Sequence, residues 1–131
     1  DLHSFPTRRS SDLRTFFPST VAPYIDISPV GWGKGEAVRL MARELGVDLD
    51  EVATFGDSEN DLSMIGAVPN SVAVANATEV VARAARWHVG RCEDDAVALA
   101  LTDIAHAART GSTPSFMARP SEPGPFVPAG S

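Results

Sequence analysis

Acidic side chains are concentrated in one short segment that follows an apolar run of the chain. In GDSENDLSMIG, which starts at Gly56, three acids and one amide lie within the five positions 57–61. Carboxylates this close together repel one another unless a cation or a basic group compensates their charge. Asp57 and Asp61 are four positions apart, so a helix that begins here would direct both toward one hard metal ion such as Mg²⁺.

A purely structural role would explain the same residues. Asp, Ser and Asn are all favourable at the N-terminus of a helix, and acidic side chains are favourable in its first turn. From this segment alone, a helix start and a metal site account for the pattern about equally well.

The second candidate is Lys34, which lies between Gly33 and Gly35 in PVGWGKGEAV, just before a predicted helix. Glycines let the backbone approach a phosphate closely, and a helix N-terminus adds oriented N–H groups and positive potential. The alternative is a surface lysine in a flexible turn. Lys34 is the only lysine of the chain, every other basic residue being Arg. A compact ammonium suits a phosphoryl oxygen or a carboxylate partner, so we favour a specific role for Lys34.

Two common phosphate-binding motifs do not fit this glycine-rich segment. A Walker-type loop requires Ser or Thr after its lysine, whereas Gly35 follows Lys34. The dinucleotide-binding fingerprint requires a third glycine, and Glu36 stands in its place.

Strands and helices are predicted to alternate around these candidates. Hydrophobic spacing and turn residues predict strands at 24–27, 51–56, 71–75 and 86–90, and helices at 35–45, 60–66, 78–85 and 93–108. Thr78 is the predicted N-cap of the third helix, and the last helix is predicted to have an acidic first turn. This alternation over short connections predicts an α/β fold with a partial doubly wound, Rossmann-like parallel sheet. Ligands of such sheets bind beyond the carboxyl ends of the strands, where Asp57 is expected.

Composition limits the class of protein. A chain of 131 residues with 44% hydrophobic content is one ordinary domain or part of a larger one. The net charge of −6 argues against a nucleic-acid or anionic-membrane surface. No apolar run approaches the roughly 20 residues that span a bilayer. The single cysteine, Cys92, cannot form an internal disulfide, so we expect a cytoplasmic protein in which Cys92 is a small, partly buried residue.

Taken together, the motifs resemble those of a known family. The segment from about Tyr24 to Ala105 is similar to the C-terminal part of a haloacid dehalogenase-like phosphatase, and most similar to the Cof-type subfamily, which hydrolyses sugar phosphates and related small phosphomonoesters. GWGKGEAV resembles the third motif of the family, and GDSENDLSMI resembles the fourth. The following VAVANATEVVARAARWHV resembles the stretch in which the family has a strand, an Asn-Ala pair, a helix and a further strand.

The resemblance implies a role for each candidate residue. Asp57 would be a carboxylate ligand of Mg²⁺, and Asp61 would support that metal or Lys34. Lys34 would be the catalytic lysine that holds the phosphoryl group, and Asn60 would contact phosphate or substrate. A cation and a lysine aimed at the phosphoryl oxygens would stabilise the charge that phosphoryl transfer spreads over them. The implied cofactor is Mg²⁺, and the implied partner is a small phosphorylated metabolite.

Members of the family also have residues that this sequence lacks. They form an aspartyl-phosphate on a nucleophilic Asp at the end of their first strand, with a second Asp two residues on. The early acids Asp1, Asp12 and Asp26 do not match that pattern. The cap domain that selects the substrate is absent, except for a candidate last strand in FFPSTVAPYIDI. We therefore expect a truncated fragment of a magnesium-dependent phosphatase that is inactive alone.

A non-enzymatic, phosphate-binding or receiver-like phosphoacceptor module is the alternative function. Receivers have an acidic pair before the acceptor Asp and a lysine after it. Here Lys34 precedes Asp57 and no later lysine exists, so this order disfavours the alternative.

The chain divides into four predicted parts. Residues 1–13 resemble a translated sequencing adapter, and we expect them to be a non-native arm. Residues 14–30 are interpreted as a remnant of the cap domain and its linker, and residues 31–109 as the C-terminal part of a hydrolase core. Residues 110–131 are rich in Pro, Gly and Ser without any period, which predicts a disordered tail.

Overall fold

From residue 27 onward, strands and α-helices alternate along the chain. The computed structural model describes residues 13–15 and 27–118. The strands are β1 Leu13–Thr15, β2 Ile27–Pro29, β3 Ala53–Gly56, β4 Asn70–Ala73 and β5 Trp87–His88. The α-helices are α1 Lys34–Leu45, α2 Leu62–Ile65, α3 Glu79–Ala84 and α4 Ala96–Thr110. Short 3-10 helices lie at Leu49–Glu51, Glu59–Asp61, Cys92–Asp94 and Ser115–Met117.

A parallel sheet organises the main part of the fold. Its strand order is β3-β4-β5, with Phe55 opposite Val72 and Val72 opposite Trp87. The connections between these strands contain α2 and α3, as parallel pairing requires. The α/β fold with a partial parallel sheet is therefore confirmed. Strands β1 and β2 form a separate antiparallel pair in which Arg14 lies opposite Ser28.

The hydrophobic core lies around the central strand β4. Val72, Val81 and Ile65 are the largest fully buried side chains. Three successive residues of β4, from Ser71 to Ala73, are buried, a pattern typical of the central strand of a parallel sheet. None of the helices in the described ranges is long and apolar enough to cross a bilayer.

The last helix begins later than predicted. Glu93 and Asp94 lie in a 3-10 helix, and Asp95 has a φ of 54°, in the left-handed region. A residue in that region interrupts a right-handed helix, so α4 begins at Ala96 and its first turn is not acidic.

One strand boundary and one helix cap also differ from the sequence prediction. The strand predicted at 24–27 is observed as β2 at Ile27–Pro29, and residues 24–26 lie outside the described part of the chain. Thr78 immediately precedes α3 as predicted, but its Oγ1 is buried and has no hydrogen-bond partner among the described residues. The hydroxyl therefore does not cap this helix.

Ordered structure extends into the segment that was predicted to be a disordered tail. Helix α4 ends at Thr110, and the 3-10 helix Ser115–Met117 follows it. Asp103 accepts hydrogen bonds on Oδ2 from Ser115 N at 2.7 Å and from Ser115 Oγ at 2.6 Å. These bonds attach the 3-10 helix to α4. The rest of the predicted tail, residues 119–131, lies outside the described residues, as do residues 1–12 of the predicted arm.

Candidate functional site

An ion pair joins the first residue of α1 to the acidic turn that follows β3. The ammonium of Lys34 donates a hydrogen bond to Oδ1 of Asp61. The Asp61 side chain is 7% exposed and that of Lys34 is 49% exposed, so the buried carboxylate holds a lysine that still faces solvent. Two residues that the sequence singled out separately therefore meet in space.

The second oxygen of Asp61 closes the turn. Oδ2 accepts hydrogen bonds from the backbone N–H of Asp57 at 3.0 Å and of Ser58 at 3.4 Å. Burial by itself raises the pKa of Asp61, but the hydrogen bond and charge of Lys34, with the two backbone N–H groups, hold the pKa below its ordinary value. Both oxygens of this carboxylate therefore have partners within the chain.

Gly56 allows the turn to fold back onto the end of β3. A Cβ atom at this position would lie 2.8 Å from Cβ of Asp61 and 3.2 Å from Cδ1 of Ile65. Since such distances are closer than van der Waals contact, only glycine fits between strand and turn.

Gly35 places α1 against α2. A Cβ atom on Gly35 would lie 2.3 Å from the carbonyl oxygen of Ser63, and the Gly35 N–H donates to Ser63 Oγ at 3.2 Å. The sequence suggested that the glycines beside Lys34 allow a phosphate to approach. The structure gives Gly35 a packing role, because its missing side chain is what lets the two helices touch.

These groups line a cleft at the carboxyl ends of β3 and β4. Its volume is about 430 Å³, within the range of small-molecule sites. The lining residues are Lys34, Phe55, Gly56, Asp57, Asp61, Met64, Val74, Cys92 and Val97. The cleft thus brings together the lysine and the two acids that sequence reasoning selected.

Asp57 is an acid of the turn that lines the cleft and is available to a ligand. It is exposed, and its side chain makes no hydrogen bond or ion pair with the other described residues. Its backbone oxygen accepts from Thr78 N at 2.8 Å, which holds the loop against the start of α3. Residues 13–15 and 27–118 contain no group of three His, Cys, Asp or Glu side chains that could hold a metal. Mg²⁺ in proteins usually keeps several water ligands and binds only one or two carboxylates. The Asp57 carboxylate therefore fits the role of a single protein ligand to Mg²⁺.

Asn60 lies in the same turn but outside the lining of the cleft. Its Oδ1 accepts a hydrogen bond from Ser58 Oγ at 2.5 Å. The amide oxygen is therefore used inside the turn, and the structure does not place Asn60 with Lys34 and Asp57.

Cys92 is a lining residue that sequence reasoning did not connect with the site. It is exposed, where the sequence suggested partial burial, and its backbone N–H donates to Oδ1 of Asn76 at 3.1 Å. Loss of some hydration at the thiol and the negative charges of Asp57 and Glu93 raise the pKa of Cys92, so the thiol stays protonated at neutral pH. No spacing signal links residue 92 to the acidic turn, since only the fold brings them together.

The chain is similar in sequence and fold to several known proteins. An uncharacterised protein from the pdhA 5′ region of Geobacillus stearothermophilus is 45% identical over 60 residues, which are 46% of this chain and 63% of that protein. An HMP-PP phosphatase of Enterobacter sp. (strain 638) is 34% identical over 80 residues, 60% of this chain and 29% of that protein. The crystal structure of a haloacid dehalogenase-like hydrolase from Bacteroides thetaiotaomicron aligns with a TM-score of 0.63 and 29% identity, covering 72% of this chain and 35% of that one.

The family is established by a match over most of the chain. The chain spans less than two thirds of the length of each of these three proteins. A family model described as haloacid dehalogenase-like hydrolase matches residues 6–101. The chain therefore belongs to the haloacid dehalogenase-like hydrolase family.

Proposed function

We propose that this chain carries the lysine and acidic motifs of a magnesium-dependent phosphatase that acts on small phosphomonoesters such as sugar phosphates. The observation that carries the proposal is the Lys34–Asp61 ion pair at the mouth of a cleft that Asp57 also lines. A relative named HMP-PP phosphatase supports a small phosphorylated metabolite as the substrate class.

Lys34 would bind the phosphoryl oxygens. Its ammonium is half exposed and is held in place by a buried carboxylate, so it can approach a substrate without a large loss of side-chain entropy. Asp61, proposed from the sequence as a metal ligand or a support for Lys34, acts chiefly through Lys34, since its two oxygens already have partners. Asn60 would contact the substrate through its amide nitrogen while its oxygen stays bound to Ser58.

Asp57 would be the carboxylate that binds Mg²⁺. Phosphatases of this superfamily generally use Mg²⁺. When bound, the ion supplies positive charge that stabilises the phosphoryl oxygens during transfer. The exposed carboxylate of Asp57 lies beside the cleft in which those oxygens would sit.

This sequence does not contain the nucleophile motif on which the proposed reaction depends. In the family's mechanism an Asp carboxylate bonds to phosphorus as the ester bond breaks, the released alcohol takes up a proton, and water then hydrolyses the aspartyl-phosphate. The required pair of Asp residues is not found before Lys34. We therefore propose that the chain binds phosphate but does not turn over phosphate esters.

Binding of inorganic phosphate tests the proposal on the chain as it exists. Titration in the presence of Mg²⁺, followed by NMR, should shift the resonances of Lys34 and Asp57, and Lys34→Ala should weaken binding by at least about tenfold because a charge-assisted contact is lost. Arg39→Ala is the matched control: it removes a positive charge from the same helix, where Arg39 pairs with Glu36 at 2.5 Å.

Two results would count against the proposed function. One is phosphate binding that Lys34→Ala and Arg39→Ala weaken equally, which would show only nonspecific charge attraction. The other is a stable acyl phosphate on Asp57 after treatment with acetyl phosphate, which would favour the receiver-like alternative.

A further inference from the structure

We propose that Ser63 is a positioning residue for Lys34, acting through the backbone of the first turn of α1. The inference deepens the proposed function and rests on it for the role of Lys34 in phosphate binding. The contacts that carry the inference are properties of the fold itself.

The N-terminus of α1 lacks a capping side chain of its own. Gly33 occupies the N-cap position and makes no side-chain hydrogen bond, so the first N–H groups of the helix need partners elsewhere. Ser63, 28 positions later in the sequence, supplies one, because its Oγ accepts from the N–H of Gly35 at 3.2 Å. A side chain from another helix thus performs the function of an N-cap.

Close packing makes this contact specific to the pair of helices. Gly35 is buried, and a Cβ atom there would lie 2.3 Å from the Ser63 carbonyl oxygen and 3.3 Å from Ser63 Cβ. The backbone of α1 therefore lies directly on residue 63. The Ser63 hydroxyl is thus bonded to the residue next to Lys34.

The acidic turn and helix α2, which follows it directly, each hold the start of α1 at one point. Asp61 binds the ammonium at the end of the side chain, and Ser63 binds the backbone one residue after Lys34. A lysine side chain has several rotatable bonds, so the Asp61 carboxylate alone does not determine the path that the Lys34 side chain takes into the cleft. The ammonium and the adjoining backbone are thus bound to Asp61 and Ser63, which are two positions apart in the sequence. These two contacts together hold the ammonium in one place.

The rate at which an N-hydroxysuccinimide ester acylates Lys34 measures this positioning. Lys34 is the only lysine, so peptide mapping separates its product from that of the N-terminal amine. The ion pair with Asp61 protects the amine, and we expect Ser63→Ala to raise the acylation rate about fivefold, the factor that corresponds to one lost hydrogen bond. Ser63→Thr keeps a hydroxyl at the same place and should restore most of the protection.

Ser71→Ala is the matched control for a general loss of stability. Ser71 is buried, and its Oγ accepts from the backbone N–H of Arg86 at 3.1 Å, the same type of bond at a distant position. We expect the acylation rate of Lys34 in the Ser71→Ala variant to equal the rate in the unsubstituted chain. Equal rates of Lys34 acylation in Ser63→Ala and Ser71→Ala would overturn the proposal. It would also be overturned if Lys34 reacted as fast in the unsubstituted chain as in a free peptide of residues 30–40.

A second arm with inorganic phosphate separates this inference from the proposed function. Phosphate should slow the acylation of Lys34 if this residue binds phosphoryl groups. A failure of phosphate to protect Lys34, together with the expected effect of Ser63→Ala, would refute the role in phosphate binding and leave the positioning role standing.

Discussion

At the scale of single residues, the buried Asp61 carboxylate connects the acidic turn with the lysine. Its pKa is lowered, so its interactions stabilise the folded turn above the ordinary pKa of an aspartate and are lost as the pH falls through the lowered value. We expect the ¹³C carboxyl resonance of Asp61 to titrate below the ordinary value. Lys34→Ala should raise the midpoint of the Asp61 titration. Burial raises the pKa of this carboxyl, and in the variant only the hydrogen bonds from the backbone N–H groups of Asp57 and Ser58 would lower it.

The same titration in Arg39→Ala provides the control. Arg39 is paired with Glu36 on an exposed face of α1, so its removal should leave the Asp61 midpoint unchanged. An Asp61 midpoint that does not respond to Lys34→Ala would show that the ion pair does not form in solution.

At the scale of elements, the contact of α1 with α2 lies directly beside the Lys34–Asp61 ion pair. Gly35→Ala should destabilise the fold by about 1–3 kcal/mol through overpacking, although alanine is the better helix former. The reason is the 2.3 Å approach of the added Cβ to the Ser63 carbonyl oxygen. Urea unfolding followed by tryptophan fluorescence measures the change, since Trp32 and Trp87 are available as probes.

Gly66→Ala is the matched substitution for that experiment. Its nearest contact, the carbonyl oxygen of Leu62, would be 3.4 Å from the new Cβ, and its backbone has an ordinary helical conformation. If Gly35→Ala and Gly66→Ala unfold at the same urea concentration, the close packing of α1 on α2 does not contribute to stability.

At the scale of the whole molecule, the described residues form only part of what the family's proteins contain. Among the residues that the structure describes, strand β3 is an edge of the sheet, and Met41 and Leu45 on α1 are 61% and 71% exposed. We predict no magnesium-dependent release of phosphate from a panel of phosphosugars, because the sequence has no pair of Asp residues two positions apart before Lys34. Turnover that disappears in Lys34→Ala would show instead that this chain has a nucleophile of its own.

The hydrophobic pattern and the motifs by themselves determined the order of the elements, the parallel sheet and the family. They also selected Lys34, Asp57 and Asp61, since glycines beside a lysine and acids after an apolar strand are local features. The predicted division of the chain at residues 13, 30 and 109, and the roles of these side chains in a whole enzyme, stay predictions.

Only the tertiary structure decided how these residues are used. It pairs Asp61 with Lys34, gives Gly35 a packing role, moves the start of α4 to Ala96 and brings Cys92 to the cleft. Hydrophobic periodicity reports which face of an element is buried, not which groups of distant elements touch. Such contacts depend on how close two backbones can come, and that distance is set by packing between segments that are far apart in the sequence.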